Sequence, residues 1–361
     1  MSLPCPPTRS AVRAPLRVGF LALNDAAPLI VAHEYGLFTR HGLPVTLSRE
    51  VGWATVRDKL LYQELHAAHA PAGMLVSTKL GLGCAPTDCL TALVLSTQGN
   101  AITLSERLWS DGVRDAATLR EAVRRTRLER PLVFGVVFQH GSHHLHWCDW
   151  LTTAGIRVGR GVRIVIVPPP LVFRNLLAGT IDGFCAGEPW NSVAVREKVG
   201  WCPVAGADLG PGQPEKVLMV RQDFAVQRHE EHLALVAAVA EAGRLCDQPE
   251  FRKELVRLLA RREYLNVPER TITAGLLGPF DLGHGRTAEN RPFVTFAEDG
   301  GCDPLPEKLD WLLDGLKRHH LLPEPTALPR HLSRELFRSD LYHQARQRCG
   351  ATRADVVPAG G

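Results

Sequence analysis

The sequence has no apolar run long enough to span a membrane. A transmembrane helix needs about 18 to 20 consecutive apolar residues, whereas the run at 18–23 is closed by Asn24 and Asp25. Residues 1–17 carry prolines and arginines where a secretory signal would have an apolar stretch and a small-residue cleavage site. We therefore expect a soluble protein located in the cytoplasm.

The cysteines lack the regular spacing of a disulfide framework. Their number is odd, and no Cys-x-x-Cys pair occurs among them. Free thiols in a reducing compartment are the simplest interpretation. The nine positions are Cys5, Cys84, Cys89, Cys148, Cys185, Cys202, Cys246, Cys302 and Cys349.

Metal-ligand patterns are equally weak. One group of possible metal donors, at positions 143, 144, 146 and 148, falls within about one and a half helical turns. No complementary pair at metal-ligand spacing occurs elsewhere in the sequence. His66 and His69 would lie about one turn apart on a helix, without a third ligand, and are expected to be solvated. We expect no metal and no cofactor. The group consists of His143, His144, His146 and Cys148.

Charge and motifs exclude two further classes of function. The net charge is only +4, and the most basic stretch, 120–130, is interrupted by Glu121 and Glu129, so direct nucleic-acid binding is not expected. No phosphate loop, dinucleotide fingerprint or nucleophile elbow occurs where a strand leads into a helix. The sequence therefore predicts a protein that is not an enzyme.

The hydrophobic pattern predicts an α/β protein. At 361 residues, with 45% hydrophobic and 22% charged residues, the chain is globular and long enough for two lobes. Short apolar runs alternate with amphipathic segments, which is typical of parallel sheets covered by helices. After a strand at 216–220 the pattern becomes mainly helical. Strands are predicted at 17–23, 45–48, 93–96, 132–138, 163–167 and 183–186, and helices at 27–38, 55–64, 116–127, 144–153, 171–178, 191–198, 230–246, 251–262 and 306–319.

One segment carries a candidate ligand-binding turn. Residues 183–191, Gly-Phe-Cys-Ala-Gly-Glu-Pro-Trp-Asn, leave a strand, turn at Gly187 and enter a helix. A glycine at the carboxyl end of a strand lets the backbone approach a ligand closely. Upstream lie three prolines at 168–170 and the segment 175–183, Asn-Leu-Leu-Ala-Gly-Thr-Ile-Asp-Gly.

With these segments the sequence resembles the nitrate- and bicarbonate-binding proteins of bacterial ABC transporters and their cytoplasmic relative, the NasS-type nitrate sensor. The resemblance runs from about residue 17 to residue 268 and has many parts in one order. Its other pieces are 19–28 (Gly-Phe-Leu-Ala-Leu-Asn-Asp-Ala-Ala-Pro), 52–58 (Gly-Trp-Ala-Thr-Val-Arg-Asp), 98–100 (Gln-Gly-Asn), 141–143 (Gly-Ser-His) and 213–216 (Gln-Pro-Glu-Lys).

The resemblance implies a type II periplasmic-binding-protein fold, with two α/β lobes, a hinge and a ligand cleft between them. The crossings between lobes are expected near Asn100 and Arg221. The first lobe would then comprise 14–100 and, in its mainly helical second part packed on that lobe, 222–347. Residues 101–221 would form the second lobe, and 348–361 a tail.

The resemblance also implies a set of anion contacts. Trp53 and Gln98 would come from the first lobe, and His143, Gly187 and Lys216 from the second. These groups supply the hydrogen-bond donors that a planar monoanion with three acceptor oxygens requires. Because bicarbonate-binding relatives have a carboxylate in place of the lysine, Lys216 favours nitrate or nitrite.

Two roles follow from the resemblance. The main hypothesis is a cytoplasmic nitrate or nitrite sensor that controls an RNA-binding transcription antitermination regulator, and the alternative is the solute-binding component of a nitrate or bicarbonate ABC transporter. Thiamine-pyrimidine synthases share a related fold but carry a clustered-cysteine motif that is not reproduced here. Leu75 after Met74, and Gln139 with His140 before Gly141, depart from the family pattern and indicate a different cleft wall.

Overall fold

The structure, a computed structural model, describes residues 14–126, 130–288, 293–324 and 328–354. It contains two large sheets and one small one, each large sheet covered by helices. None of the helices in these ranges combines the length and hydropathy needed to cross a bilayer. The predicted α/β class with two sheets is confirmed.

The first large sheet has six strands in the order β13-β4-β10-β3-β1-β2. β1 pairs in parallel with β2 and β3, whereas β10 runs antiparallel between β3 and β4. The small residues of β3 explain why apolar periodicity did not predict this strand. The strands are β1 Leu16–Leu21, β2 Val45–Glu50, β3 Ala67–Pro71, β4 Cys89–Gln98, β10 Pro214–Arg221 and β13 Val294–Thr295.

The second large sheet has five strands in the order β7-β6-β8-β5-β9. Here β6 pairs in parallel with β7 and β8, and β5 runs antiparallel to β8 and β9. The strands are β5 Asn100–Ser105, β6 Leu132–Val136, β7 Val162–Ile166, β8 Gly183–Gly187 and β9 Gly200–Ala205; the small sheet pairs β11 Asp281–Gly283 with β12 Arg286–Thr287.

Helices follow most strands, as the alternation predicts. The predicted helix at 27–38 is divided because Gly36 adopts a φ of +64°, which ends one helix and starts the next. The helices up to the second crossing are α1 Ala27–Glu34, α2 Leu37–Arg40, α3 Trp53–Leu61, α4 Ala72–Lys79, α5 Glu106–Ser110, α6 Ala116–Thr126, α7 Ser142–Thr153, α8 Pro169–Leu177, α9 Trp190–Arg196 and α10 Gly206–Leu209.

The C-terminal helices pack mainly on the first sheet. Leu235 and Val239 of α12, Leu255 of α13 and Leu341 of α17 share one buried core with Phe20 of β1. The expected tail 348–361 overlaps the end of α17, and residues 355–361 lie outside the described ranges. These helices are α11 Gln222–Gln227, α12 His229–Asp247, α13 Arg252–Ala260, α14 Glu269–Leu277, α15 Pro306–Arg318, α16 Leu332–Leu336 and α17 Ser339–Ala354.

The chain crosses between the large sheets twice. The first crossing, at Gly99, connects β4 with β5, close to the expected Asn100. The return crossing was expected near Arg221, but the chain leaves the second sheet after Ala205 and enters the first sheet at Pro214. The boundary at 221 is therefore corrected, because β10 is buried between two strands of the first sheet.

Candidate functional site

A buried ion-pair cluster lies where the two lobes meet, with Lys216 at its centre. Lys216 was expected to come from the second lobe, but it lies on β10 of the first sheet, between β3 and β4. The Lys216 side chain is 0% exposed. Its Nζ lies 2.9 Å from the carboxylate of Asp25 and 2.6 Å from that of Glu215. Burial alone would lower the pKa of Lys216, but the two carboxylates outweigh it and raise this pKa. Lys216 is therefore a fixed positive charge.

The backbone explains how neighbouring residues Glu215 and Lys216 can touch the same cluster. Successive side chains of a regular strand point to opposite faces of the sheet. The register of β10 against β4 shifts on both sides of Lys216, which interrupts this alternation. Burial would raise the pKa of Glu215, but Lys216 and His143 lower it, so Glu215 is a carboxylate.

Asp25 connects the lysine to a buried histidine. It lies in the short 3-10 helix Asn24–Ala26 that follows β1, and its carboxylate is 2.9 Å from Nε2 of His69. The backbone N–H of Leu21 donates to Nδ1 of His69 at 3.4 Å, so the ring carries its proton on Nε2, facing Asp25. Although burial favours the neutral acid, Lys216 and His69 hold the pKa of Asp25 below its usual range.

The position of His69 corrects the expectation that this histidine is solvated. It lies on β3, is 0% exposed and is buried between Asp25 and Trp53. A helix over 66–69 would place His66 and His69 on the same exposed face. In the structure His66 precedes β3, and His69 lies within this strand with its side chain buried. Burial lowers the pKa of His69, which agrees with the neutral ring that its hydrogen bond from Leu21 requires.

Trp53 closes the first-lobe side of the cluster. It is the first residue of α3, and its ring centroid lies 5.2 Å from that of His69. Lys216 Nζ lies 5.6 Å from the centroid of the Trp53 ring, within the range of a cation–π contact. The indole N–H of Trp53 is buried and has no hydrogen-bond partner among the described residues. It is an available donor.

The second lobe contributes the start of α7. Ser142 donates a hydrogen bond to Glu215 and accepts one from the Asn100 amide at 3.3 Å. His143 Nε2 lies 3.2 Å from Glu215, and neither ring nitrogen of His143 has a well-formed hydrogen bond among the described residues. Burial lowers the pKa of His143 to about 4. The second lobe thus contacts the charged residues of β10 through Ser142 and His143.

Gly187 ends β8 directly beside the cluster. A Cβ atom at Gly187 would lie 3.3 Å from a carboxylate oxygen of Asp25 and 3.5 Å from the side-chain oxygen of Asn100. The backbone therefore approaches the ion pair more closely than it could with most other residues. The predicted contact of this turn with a ligand stays a prediction.

Gln98 is the last residue of β4, directly before the first crossing at Gly99. Its φ is +62°, and its backbone N–H donates to the Gln213 carbonyl of the second crossing at 3.3 Å. The side-chain oxygen of Gln98 is buried without a hydrogen-bond partner among the described residues. Trp53, His143, Gly187 and Lys216 thus meet at the cluster, while Gln98 connects the two crossings.

Glu188 forms a second contact between the lobes. The Asn24 N–H donates to the Glu188 carbonyl at 2.9 Å, and a Cβ at Gly275 would lie 2.9 Å from Cγ of Glu188. The carboxyl group accepts from the amide of Asn191 and the hydroxyl of Ser192. Burial raises the pKa of Glu188 to about 7.

A cavity of about 730 Å³ opens beside Trp53. Its walls come from the loops after β2 and β6, from Pro168 and from residues 320–323. No group of three or more side chains in the described ranges is arranged as metal ligands. Of the neighbouring histidines of α7, His144 hydrogen-bonds to the Gln139 carbonyl and His146 to the Gln213 side chain, so the two rings face different partners.

The sequence missed Asp25, Glu215, His69 and Ser142 as members of the cluster. Asp25 and Glu215 stand inside segments that carried the family resemblance, as does Ser142. No sequence signal distinguishes them from exposed polar residues, because their partners are distant along the chain. His69 was considered only together with His66, as one of two solvated histidines on a helix.

Two α/β lobes joined by two crossings, with charged side chains buried between them, define a ligand-binding protein of the periplasmic-binding-protein fold. The crystal structure of the periplasmic nitrate-binding protein NrtA from Synechocystis superposes with a TM-score of 0.86 at 29% identity, covering 96% of this chain and 91% of that chain. Residues 10–260 match the NMT1-like family, to which this chain belongs. The resemblance to the nitrate- and bicarbonate-binding proteins that was drawn from the sequence is confirmed.

Two relatives extend over nearly the whole chain. The nitrate/nitrite binding protein NrtA of Synechococcus elongatus is 32% identical over 373 residues, covering 99% of this chain and 84% of that protein. The nitrate import ATP-binding protein NrtC of Synechocystis is 35% identical over 338 residues, which is 93% of this chain but 50% of NrtC. The chain thus spans about half the length of the ATP-binding relatives.

Proposed function

We propose that this protein binds nitrate or nitrite in the cleft between its lobes. The observation that carries the proposal is the fully buried Lys216, a fixed positive charge at the meeting point of both lobes. Trp53 and His143 add a buried indole N–H and ring nitrogens that lack well-formed hydrogen bonds within the described chain. A small planar oxoanion can use these donors simultaneously.

The names of two relatives support this ligand. The NrtA proteins are named as nitrate/nitrite binding proteins, and they share the chain over most of its length. Other relatives at 35% identity are named as bicarbonate transport ATP-binding proteins. Bicarbonate is therefore the competing ligand, and Lys216 is the residue that favours nitrate.

Calorimetric titration with nitrate tests the proposal. A charge-assisted hydrogen bond contributes about 1.5–3 kcal/mol, so Lys216→Ala should weaken binding by about 10- to 100-fold. Lys59→Ala is a matched control, because Lys59 is partly exposed and pairs with Glu50 on the same lobe. Bicarbonate serves as competitor, and circular dichroism verifies that each variant is folded. Saturable binding of bicarbonate without any nitrate binding would refute the nitrate assignment.

The relatives favour a role in transport. Their names refer to nitrate import and bicarbonate transport, so a solute-binding component of an ABC transporter is the better supported role. Ligand-induced lobe closure would then change the surface presented to the membrane partner. Export of the protein from the cytoplasm, measured by cell fractionation, is the expected result for a separate periplasmic component.

A cytoplasmic sensor is the second candidate role. All seven cysteines whose side chains are described are free thiols, as in proteins of a reducing compartment. In addition, the ATP-binding relatives contain the same kind of domain in about half of their length, and ATP hydrolysis takes place in the cytoplasm. The partner would be an RNA-binding antitermination regulator. Co-purification with such a regulator, reversed by nitrate, would support this role, and nitrate-independent association would contradict it.

A further inference from the structure

The charges of the buried cluster do not balance. Asp25 and Glu215 are carboxylates, and among the described residues Lys216 is the ammonium group that contacts them. His69 is held neutral by the hydrogen bond that its Nδ1 accepts from Leu21. With His143 neutral as well, the cluster carries a net charge of −1 before any ligand binds.

A monovalent anion would raise this negative charge. Placed beside Lys216, it would compete with Asp25 and Glu215 for the same ammonium group and bring the buried total to −2. Water screens the excess poorly, because these residues are at most 4% exposed. The lysine alone is therefore insufficient for tight anion binding.

We propose that the site takes up one proton together with its monovalent anion, and that the His143–Glu215 pair holds this proton. The inference rests on the proposed anion-binding function and adds that anion binding requires the uptake of a proton. The total charge of the cluster then stays at −1, and the imidazolium offers a second cationic donor to the anion. The proton comes from solvent through lobe opening.

The surroundings of His143 single out this pair. Glu215 and Lys216 face it from β10, Asp25 from the 3-10 helix, and His146 from its own helix. Among these groups Glu215 is 3.2 Å away and is the direct acceptor for a protonated ring. Burial without a ligand keeps the pKa of His143 at about 4, and an anion next to the ring would raise it.

The other titratable groups near the lobe contact are less suited to the task. Asp25 is held in its charged form by two partners, Lys216 and His69. No cation among the described residues lowers the pKa of Glu188. Its carboxyl group accepts hydrogen bonds only from Asn191 and Ser192 of its own lobe in the described part of the chain. The Glu188 side chain approaches the first lobe at Gly275, where a Cβ would lie 2.9 Å from Cγ of Glu188.

The inference separates two ligand classes. Nitrate, which has no proton at neutral pH, must bind with proton uptake from solvent. Bicarbonate adds the same negative charge, but its own O–H group can donate to Glu215, so the hydrogen bond that offsets part of the Glu215 charge does not require a proton from solvent. The number of protons taken up therefore reports the class of ligand that the site accommodates.

Proton uptake can be measured directly. Nitrate is titrated at one pH in buffers of different ionisation enthalpy, and separately in weakly buffered solution with a pH indicator. We expect uptake of about one proton, with nitrate affinity falling about tenfold per pH unit between pH 6 and 8. Nitrate binding without proton uptake would overturn the inference and leave the proposed function intact. No binding of nitrate or nitrite at any pH would overturn both.

Two substitutions locate the proton. Glu215→Gln removes one negative charge while keeping the shape, so proton uptake should be lost and affinity should become independent of pH. Glu188→Gln is the matched control at the other lobe contact and should retain uptake. If Glu188→Gln abolished uptake and Glu215→Gln retained it, the assignment to the His143–Glu215 pair would be wrong. The wild-type indicator measurement decides the uptake itself should Glu215→Gln fail to fold.

Discussion

Gly73 of α4 packs directly against the backbone of His140 in the other lobe. A Cβ atom at Gly73 would lie 1.8 Å from the His140 carbonyl oxygen, closer than any two such atoms can approach. The neighbouring residues Leu75 and Gln139 are among the departures from the family pattern. The unusual parts of the cleft wall thus lie near one another across the lobes.

Gly73→Ala should hinder lobe closure. The added methyl group forces the two backbones apart, and overpacking of this kind costs typically 1–3 kcal/mol. Since the ligand contacts come from both lobes, we expect anion affinity to fall by roughly tenfold or more. Calorimetry measures the affinity, and small-angle X-ray scattering compares the shapes of the variant and wild type.

Gly52→Ala is the matched control for this substitution. Gly52 also faces the second lobe, but its nearest neighbour for a Cβ is Pro168 at 4.0 Å, an ordinary contact, and its φ of −172° suits alanine. Unchanged affinity in Gly52→Ala together with a loss in Gly73→Ala supports the closure argument. Equal affinity in wild type and Gly73→Ala would show that the contact is unnecessary for binding.

Trp53→Phe should weaken anion binding without unfolding the protein. A smaller aromatic ring is retained beside His69 and Lys216, but the buried indole N–H is lost. A neutral hydrogen bond contributes about 0.5–1.5 kcal/mol, so a decrease of about 2- to 10-fold in affinity is expected. Trp109→Phe is a control for the loss of an indole N–H. Trp109 lies on α5 of the second lobe and stacks on His284, outside the ion-pair cluster. Equal affinity after Trp53→Phe would show that the indole N–H does not contact the ligand.

The sequence predicted the sheets where apolar periodicity was strong. The strand at 163–167 and the helix at 306–319 correspond closely to β7 and α15, because local pattern and fold agree there. β3 was missed, since its sequence of alanines around His69 has little hydrophobic contrast. The second crossing was placed at Arg221 because nothing local reveals which sheet receives β10.

The candidate site was predictable only as far as the family resemblance reached. Trp53, Gly187 and Lys216 stand in segments whose pattern pointed to a ligand. Their electrostatic partners could not be deduced, because Asp25 and Lys216 lie far apart in the sequence and meet only in the folded protein. The net charge of the cluster depends on which side chains meet in the folded protein. Nitrate was expected from Lys216 alone, without the charges of Asp25 and Glu215.

His232→Leu should stabilise the protein and reduce its sensitivity to acid. His232 of α12 is 0% exposed, and neither ring nitrogen has a hydrogen-bond partner within the described chain. Burial lowers the pKa of His232 to about 4, and Arg338 acts in the same direction. A histidine with a lowered pKa makes the folded state lose stability as pH falls from about 6.5 towards 4.

Urea unfolding at pH 7.5 and pH 5 measures this effect. The free energy of unfolding should be about 1–3 kcal/mol higher in His232→Leu at pH 7.5, because an unsatisfied buried polar group is removed. The difference from wild type should increase at pH 5, where the unfolded histidine binds a proton. A constant difference at both pH values would mean that His232 is protonated to the same extent in both states.

The Lys216–Asp25 pair should show strong coupling in a double-mutant cycle. Lys216→Met leaves two carboxylates buried without their cation, and breaking a buried pair costs about 3–5 kcal/mol. Asp25→Asn in the Lys216→Met background should recover part of this loss, since it removes one uncompensated charge. In wild type the lowered pKa of Asp25 means that its stabilisation is present above about pH 4 and is lost as pH falls further. Urea unfolding of the four proteins at pH 7 gives the coupling energy, and additive effects of the two substitutions would contradict the pairing.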